Sequence, residues 1–96
     1  MVNTYRIVIL KSAQKDKEKI KTIPALKRNV ENLLEVLRNH PFQNPPPYEK
    51  LKGSLGDFYS RRINAQHRLV YRVIEKALYR NVQCFFYTFL KEGGTN

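Results

Sequence analysis

Acidic side chains are scarce in this chain: eight Asp and Glu stand against eighteen Lys and Arg over 96 residues, which leaves a formal charge of +10. An imbalance of that size points to a polyanionic partner, the alternatives being plain solubility or an acidic protein partner. Cysteine is scarcer still. With Cys84 alone, no intramolecular disulfide framework can form, and His40 and His67 complete no zinc-binding spacing with it. The chain therefore reads as a protein of a reducing compartment with no metal and no cofactor. Long apolar runs are missing too. The opening MVNTYRIVILK holds an apolar run far too short for a membrane span and has no small-residue cleavage site, so neither a signal peptide nor a transmembrane helix is expected, and the expected location is the cytoplasm. A chain of this length buries roughly 60–68% of its unfolded surface and supports one core. Residues 1–96 are accordingly read as a single domain, with 91–96, which carry Gly93-Gly94 and no apolar anchor, as a flexible tail.

The charge that is present falls in zones. Residues 1–28 carry a net +6 and residues 50–80 another +6, while 29–49 carry −2. Two basic zones thus flank a nearly neutral segment, and across the boundary into that segment Ile23, Leu26, Val30, Leu33, Leu34 and Leu37 recur at three- and four-residue steps. This spacing predicts a helix over 23–39 with one apolar face, Thr22 as N-cap, Pro24 in the first turn and Asn39-His40-Pro41 as its end. Upstream, residues 5–10 (YRIVIL) are β-branched and aromatic and read as a strand buried on both faces. The charged segment SAQKDKEKIK after it reads as a solvated helix capped by Ser12.

Downstream of the helix, Pro45, Pro46 and Pro47 predict a rigid extended connector. Three strands are then expected, over 58–64, 67–74 and 78–90, the first two joined by a turn at Ala65-Gln66. The resulting order β-α-α-β-β-β argues an α+β fold, a mainly antiparallel sheet with two helices packed on one face.

The most informative stretch is LGDFYSRRINAQHRLVYRV, in which Arg61, Arg62, Arg68 and Arg72 fall on one expected hairpin. Alternation sends Tyr59, Arg61 and Ile63 one way and Phe58, Ser60 and Arg62 the other. On the second strand His67, Leu69, Tyr71 and Val73 oppose Arg68, Val70 and Arg72. Guanidinium forks on a rigid sheet match phosphate bidentately, so this hairpin predicts binding of RNA or DNA, with cleavage as a further expectation.

The run YEKLKGSLGDFYSRRINAQHRLVYRV, behind its proline connector, resembles the Txe/YoeB branch of the RelE/ParE superfamily of toxins from bacterial toxin–antitoxin modules. The resemblance extends from the first strand to the third, and S-R-R-I-x-x-x-H-R-L-V-Y is its most specific part. It implies a RelE-like fold and an endoribonuclease that cleaves messenger RNA in the ribosomal A site, with the ribosome, messenger RNA and a silencing antitoxin protein as partners. It leaves open whether the toxin acts as a monomer or a homodimer.

Such cleavage has its own physical logic. A ribose 2′-hydroxyl attacks the adjacent phosphorus, so the site needs a base for that proton, cations for the growing phosphorane charge and an acid for the departing 5′-oxygen. On spacing alone Glu49 is an ordinary surface carboxylate; the resemblance implies that it is the general base. It likewise implies that Arg62 and Arg68 bind the phosphate and that Lys52 is a supporting cation. Arg61 and Arg72 match no catalytic position and are assigned to RNA or antitoxin contact, with a side chain lying along the sheet edge as the alternative. His67 points away from Arg68 by alternation and reads as structural. The branch typically ends its last strand with a His-Tyr pair, whereas here no histidine follows His67. Tyr87 is therefore the expected acid. The departure keeps two alternatives in view, a catalytically weak or inactive binding module of the same fold and a gyrase-inhibiting toxin of the ParE type.

Overall fold

The computed structural model describes residues 4–52, 57–76 and 78–88. Strand β1 (Arg6–Ile9) leads through a 3-10 turn (Lys11–Ala13) into helix α1 (Gln14–Lys21) and helix α2 (Pro24–Asn39); strands β2 (Glu49–Lys50), β3 (Tyr59–Arg62), β4 (His67–Lys76) and β5 (Tyr79–Thr88) follow. The five strands form one sheet in the order β1-β5-β4-β3-β2. The β1-β5 pair is parallel and every other pair is antiparallel. This is the expected α+β arrangement.

Alternation explains how the sheet acquires two different faces. Leu69 and Tyr71 on β4 stand beside Phe86 and Cys84 on β5, and these side chains are buried together with Leu26, Val30, Leu33 and Leu37 of α2 and Ile20 of α1. The apolar stripe of α2 therefore closes one side of the sheet. Each buried side chain of the stripe contributes to stability, since deleting one of this kind typically costs about 2–5 kcal/mol. Among the described residues, no helix is long and apolar enough to cross a membrane.

Several local expectations need correction. Ile23 does not join the apolar stripe: it is 49% exposed and is itself the extended N-cap of α2, with no side-chain cap. Thr22 instead closes α1, its hydroxyl donating to the Lys19 carbonyl at 2.7 Å. Ser12 lies inside the 3-10 turn and caps nothing. Pro24 does occupy the first turn of α2, where its missing N–H has no partner to lose. Strand β1 is shorter than expected and only half-buried; among the described residues it is an edge strand with β5 as its single neighbour. Its entry is held by the Tyr5 N–H, which donates to the Arg38 carbonyl at the end of α2 at 2.7 Å.

The connector after α2 is bent, not extended, with cis peptide bonds at Asn44-Pro45 and Pro45-Pro46. It delivers the chain to β2, a two-residue strand that no periodicity in the sequence announces. The strand expected over 58–64 is confined to Tyr59–Arg62, and the next one continues to Lys76. Of the strand expected over 78–90, Tyr79–Thr88 is observed; its last two positions and the expected tail lie outside the described residues.

Candidate active site

The face of the sheet opposite the helices carries the site. Register places Glu49 on β2 across from Ser60 on β3, Ser60 across from Val70 on β4, and Arg62 directly across from Arg68. On the other side of β4, Arg68 pairs with Tyr87 and Val70 with Phe85. Side chains directly opposite one another in a ladder share a face, so residues from four strands converge there. They line an open cavity of about 370 Å³ formed by Glu49, Leu51, Ser60, Arg68, Val70, Phe85 and Tyr87. Its floor is apolar, from Leu51, Val70 and Phe85, and its polar groups are two opposite charges, a hydroxyl and a phenol.

Arg68 is the organising side chain. Its Nη1 donates to the buried Ser60 hydroxyl at 3.0 Å and lies 3.9 Å from Glu49 Oε1. The Arg68 side chain is 29% exposed while that of Glu49 is 70% exposed. The guanidinium is thus fixed by the sheet, and the carboxylate projects into solvent at the cavity wall. Ser60 was not among the residues that sequence reasoning selected; the available signal was its place on the Arg62 side of the alternation. Tyr87 is half-exposed on β5, where its cross-strand neighbour is Arg68.

Arg62 is exposed and faces Arg68 across the ladder without lining the cavity. Two like charges directly opposite one another are unfavourable unless an anion or a counter-charge lies between them. Further along β4 on the same face, Arg72 donates from Nε to Gln83 Oε1 at 3.1 Å, and its guanidinium sits 5.3 Å from the centre of the Phe58 ring. Lys52 is exposed just beyond β2 and does not line the cavity.

Arg61 requires a correction. The expected contact with RNA or antitoxin is closed to it, because it is fully buried on the helix side of β3. Its Nη2 donates to the carbonyls of Pro41 and Gln43, both at 2.9 Å, and its Nη1 donates to the Pro46 carbonyl. The Tyr48 and Tyr71 rings flank it with centroids 4.9 and 5.9 Å from Cζ. Proline carbonyls attract it because their own segment lacks N–H donors to satisfy them. Tyr71 adds a hydroxyl donated to Pro41 O at 2.8 Å, and burial raises its pKa above the ordinary phenol value.

His67 is structural, as alternation implied. Its Nδ1 lies 3.0 Å from Asn64 Oδ1, the oxygen that also accepts the backbone N–H groups of Gln66 and His67 and so forms the hairpin turn. Asn29 of α2 donates to the Ile63 carbonyl at 3.2 Å and ties that turn to the helix layer.

Residues 11–87 match the model of the YoeB-like toxin family of bacterial type II toxin-antitoxin systems. The chain belongs to this family. Toxin YoeB of Escherichia coli K12 is 39% identical over 51 residues, a stretch covering 53% of this chain and 61% of that protein. The chain spans about three fifths of the length of the curated YoeB relatives it matches. Solved YoeB structures cover more. A YoeB/ParE toxin from Agrobacterium tumefaciens superposes with a TM-score of 0.73 at 29% identity, over 85% of this chain and 98% of that one. The toxin in a heterotetrameric YoeB-YefM toxin-antitoxin complex from Staphylococcus aureus gives the same TM-score of 0.73 at 27% identity, over 92% and 99%. The match to YoeB-like toxins thus rests on the sheet, the helices and the hairpin together.

Proposed function

We propose that this YoeB-like toxin is a ribosome-dependent endoribonuclease that cleaves messenger RNA in the A site and so inhibits translation. The observation that carries the reading is the convergence of Glu49, Arg68 and Tyr87 on one open cavity, with Arg62 directly across from Arg68. The alignment of Arg62 with Arg68 favours an anion held between them, and a phosphodiester supplies one.

In this scheme the 2′-hydroxyl gives its proton to Glu49 and attacks the adjacent phosphorus, forming a cyclic phosphate as the bond to the 5′-oxygen breaks. Arg68, already oriented by Ser60, and Arg62 take up the charge that grows on the non-bridging oxygens, which is where preorganised donors accelerate most. Tyr87 protonates the departing 5′-oxygen in place of the branch's usual imidazole. Lys52 and Arg72 contribute electrostatic contacts to RNA outside the cavity. The family and the basic charge support an acidic or amphipathic antitoxin segment as the masking partner, acting in the cytoplasm. The Staphylococcus aureus relative is itself seen with YefM.

Primer extension on a defined message loaded on ribosomes tests the reading. A new 5′ end at the A-site codon is expected with the wild-type chain and not with Glu49→Gln. An intact message on stalled ribosomes would overturn the nuclease reading in favour of a binding module. Tyr87→Phe tests the acid separately, since a large loss of single-turnover rate is expected and an unchanged rate would remove Tyr87 from the scheme.

A further inference from the structure

We infer that Arg61 is a positioning residue for Glu49, a buried clamp that fixes the proline connector and thereby docks β2 on the edge of the sheet. The inference rests on the proposed role of Glu49 as base and assigns a role to a side chain that touches neither RNA nor the cavity.

Strand β2 has little of its own to hold it. It is two residues long and, among the described residues, lies at the sheet edge and pairs only with β3, through Glu49 opposite Ser60 and Lys50 opposite Tyr59. The Leu51 N–H donates once more to the Phe58 carbonyl at 2.9 Å. Beyond these bonds and the 3.9 Å approach of its carboxylate to Arg68, Glu49 is placed by the connector before it. Three of its carbonyls, those of Pro41, Gln43 and Pro46, converge on the Arg61 guanidinium. Tyr48, the residue immediately before Glu49, lies against the same guanidinium and packs on Phe42 and Tyr59 with centroid separations of 5.9 and 5.8 Å.

The clamp and the docking strand share one origin. Arg61 follows Ser60, so the strand that receives Glu49 on one face grips the connector with the next side chain on the other. A planar guanidinium with several donors in a fixed fork can hold three carbonyls at once, whereas a lysine presents a single point of charge and cannot reproduce that geometry. Displacing a reacting group by about 1 Å can cost about 10²-fold in rate.

The test uses the full chain. Arg61→Lys is expected to lower the single-turnover cleavage rate by about 10²-fold, to leave ribosome affinity little changed, and to have almost no further effect in a Glu49→Gln background. Hydrogen exchange at the Leu51 amide should accelerate while amides of β4 and β5 keep their protection. Because Arg61→Lys can compromise folding, Tyr48→Leu serves as the second variant: it removes one flank of the clamp, keeps the three carbonyl bonds, and is expected to shift the same readouts in the same direction. A folded variant with unchanged rate and unchanged Leu51 exchange would overturn the inference, as would a full additional loss on top of Glu49→Gln. If the wild-type chain does not cleave RNA, the proposed function fails; Leu51 exchange then still decides whether Arg61 docks β2.

Discussion

Replacing Arg68 by alanine sets a catalytic loss against a folding loss that can be measured on the same variant. On the folding side two contacts are lost. The ion pair with Glu49 spans 3.9 Å and its carboxylate is 70% exposed, so it contributes about 0–1 kcal/mol. The hydrogen bond from its charged guanidinium to Ser60 at 3.0 Å contributes about 1.5–3 kcal/mol more. Ser60 is buried beneath Arg68, but truncating the arginine opens the cavity to water and allows that hydroxyl to be solvated again. The folded state should therefore lose about 1.5–4 kcal/mol. On the catalytic side, a preorganised donor aimed at developing charge is worth about 10²–10³ in rate, or about 2.7–4 kcal/mol. Single-turnover cleavage of a defined message on ribosomes, run beside urea denaturation of the same preparation, measures both quantities. A variant that cleaves at nearly the wild-type rate, or one whose rate loss merely tracks a collapse in stability, would refute the assignment of Arg68 as a transition-state clamp.

Other outcomes follow from the core and its titratable groups. Leu37 is fully buried between α2 and the sheet, and Leu37→Ala should cost about 2–5 kcal/mol in a denaturant titration; a change below about 0.5 kcal/mol would mean that the stripe of α2 carries no packing load. Burial pushes the Cys84 thiol up to about 12, so alkylation near neutral pH should require unfolding, and rapid stoichiometric labelling of the native protein would contradict its place in the core. Tyr71 has its folded pKa raised by burial above the ordinary 10.0. The folded state therefore retains a proton that the unfolded chain releases, and the stability from this group, present below about pH 10, is lost as pH rises through the folded value. Tyr71→Phe should flatten the alkaline decline in the urea midpoint; an unchanged slope would show that another group governs it.

Much of the molecule could be read without coordinates, because local chemistry decided it. The spacing of Leu26, Val30, Leu33 and Leu37 specifies a helix with one buried face whatever lies opposite, since 3.6-residue periodicity is a property of the segment itself. Period-two alternation along Phe58 to Arg72 correctly separated Ser60 and Arg68 from Tyr59 and Tyr71, because the pleat imposes that separation on any strand. The net charge pointed to a polyanionic partner, and the S-R-R-I-x-x-x-H-R-L-V-Y run carried the resemblance to the family now established.

What remained out of reach depended on partners distant in the chain. Nothing near residues 6–9 indicates that β1 pairs in parallel with β5, and nothing in Glu49-Lys50 marks a strand, because a two-residue element exists only through the edge that receives it. The two adjacent arginines show the limit most clearly. Arg61 and Arg62 are the same residue type on opposite faces of one strand, and alternation alone does not say which face buries its arginine. Tertiary structure does so by turning three connector carbonyls toward Arg61, where they replace the hydration its charge would otherwise require, and by leaving Arg62 exposed across from Arg68.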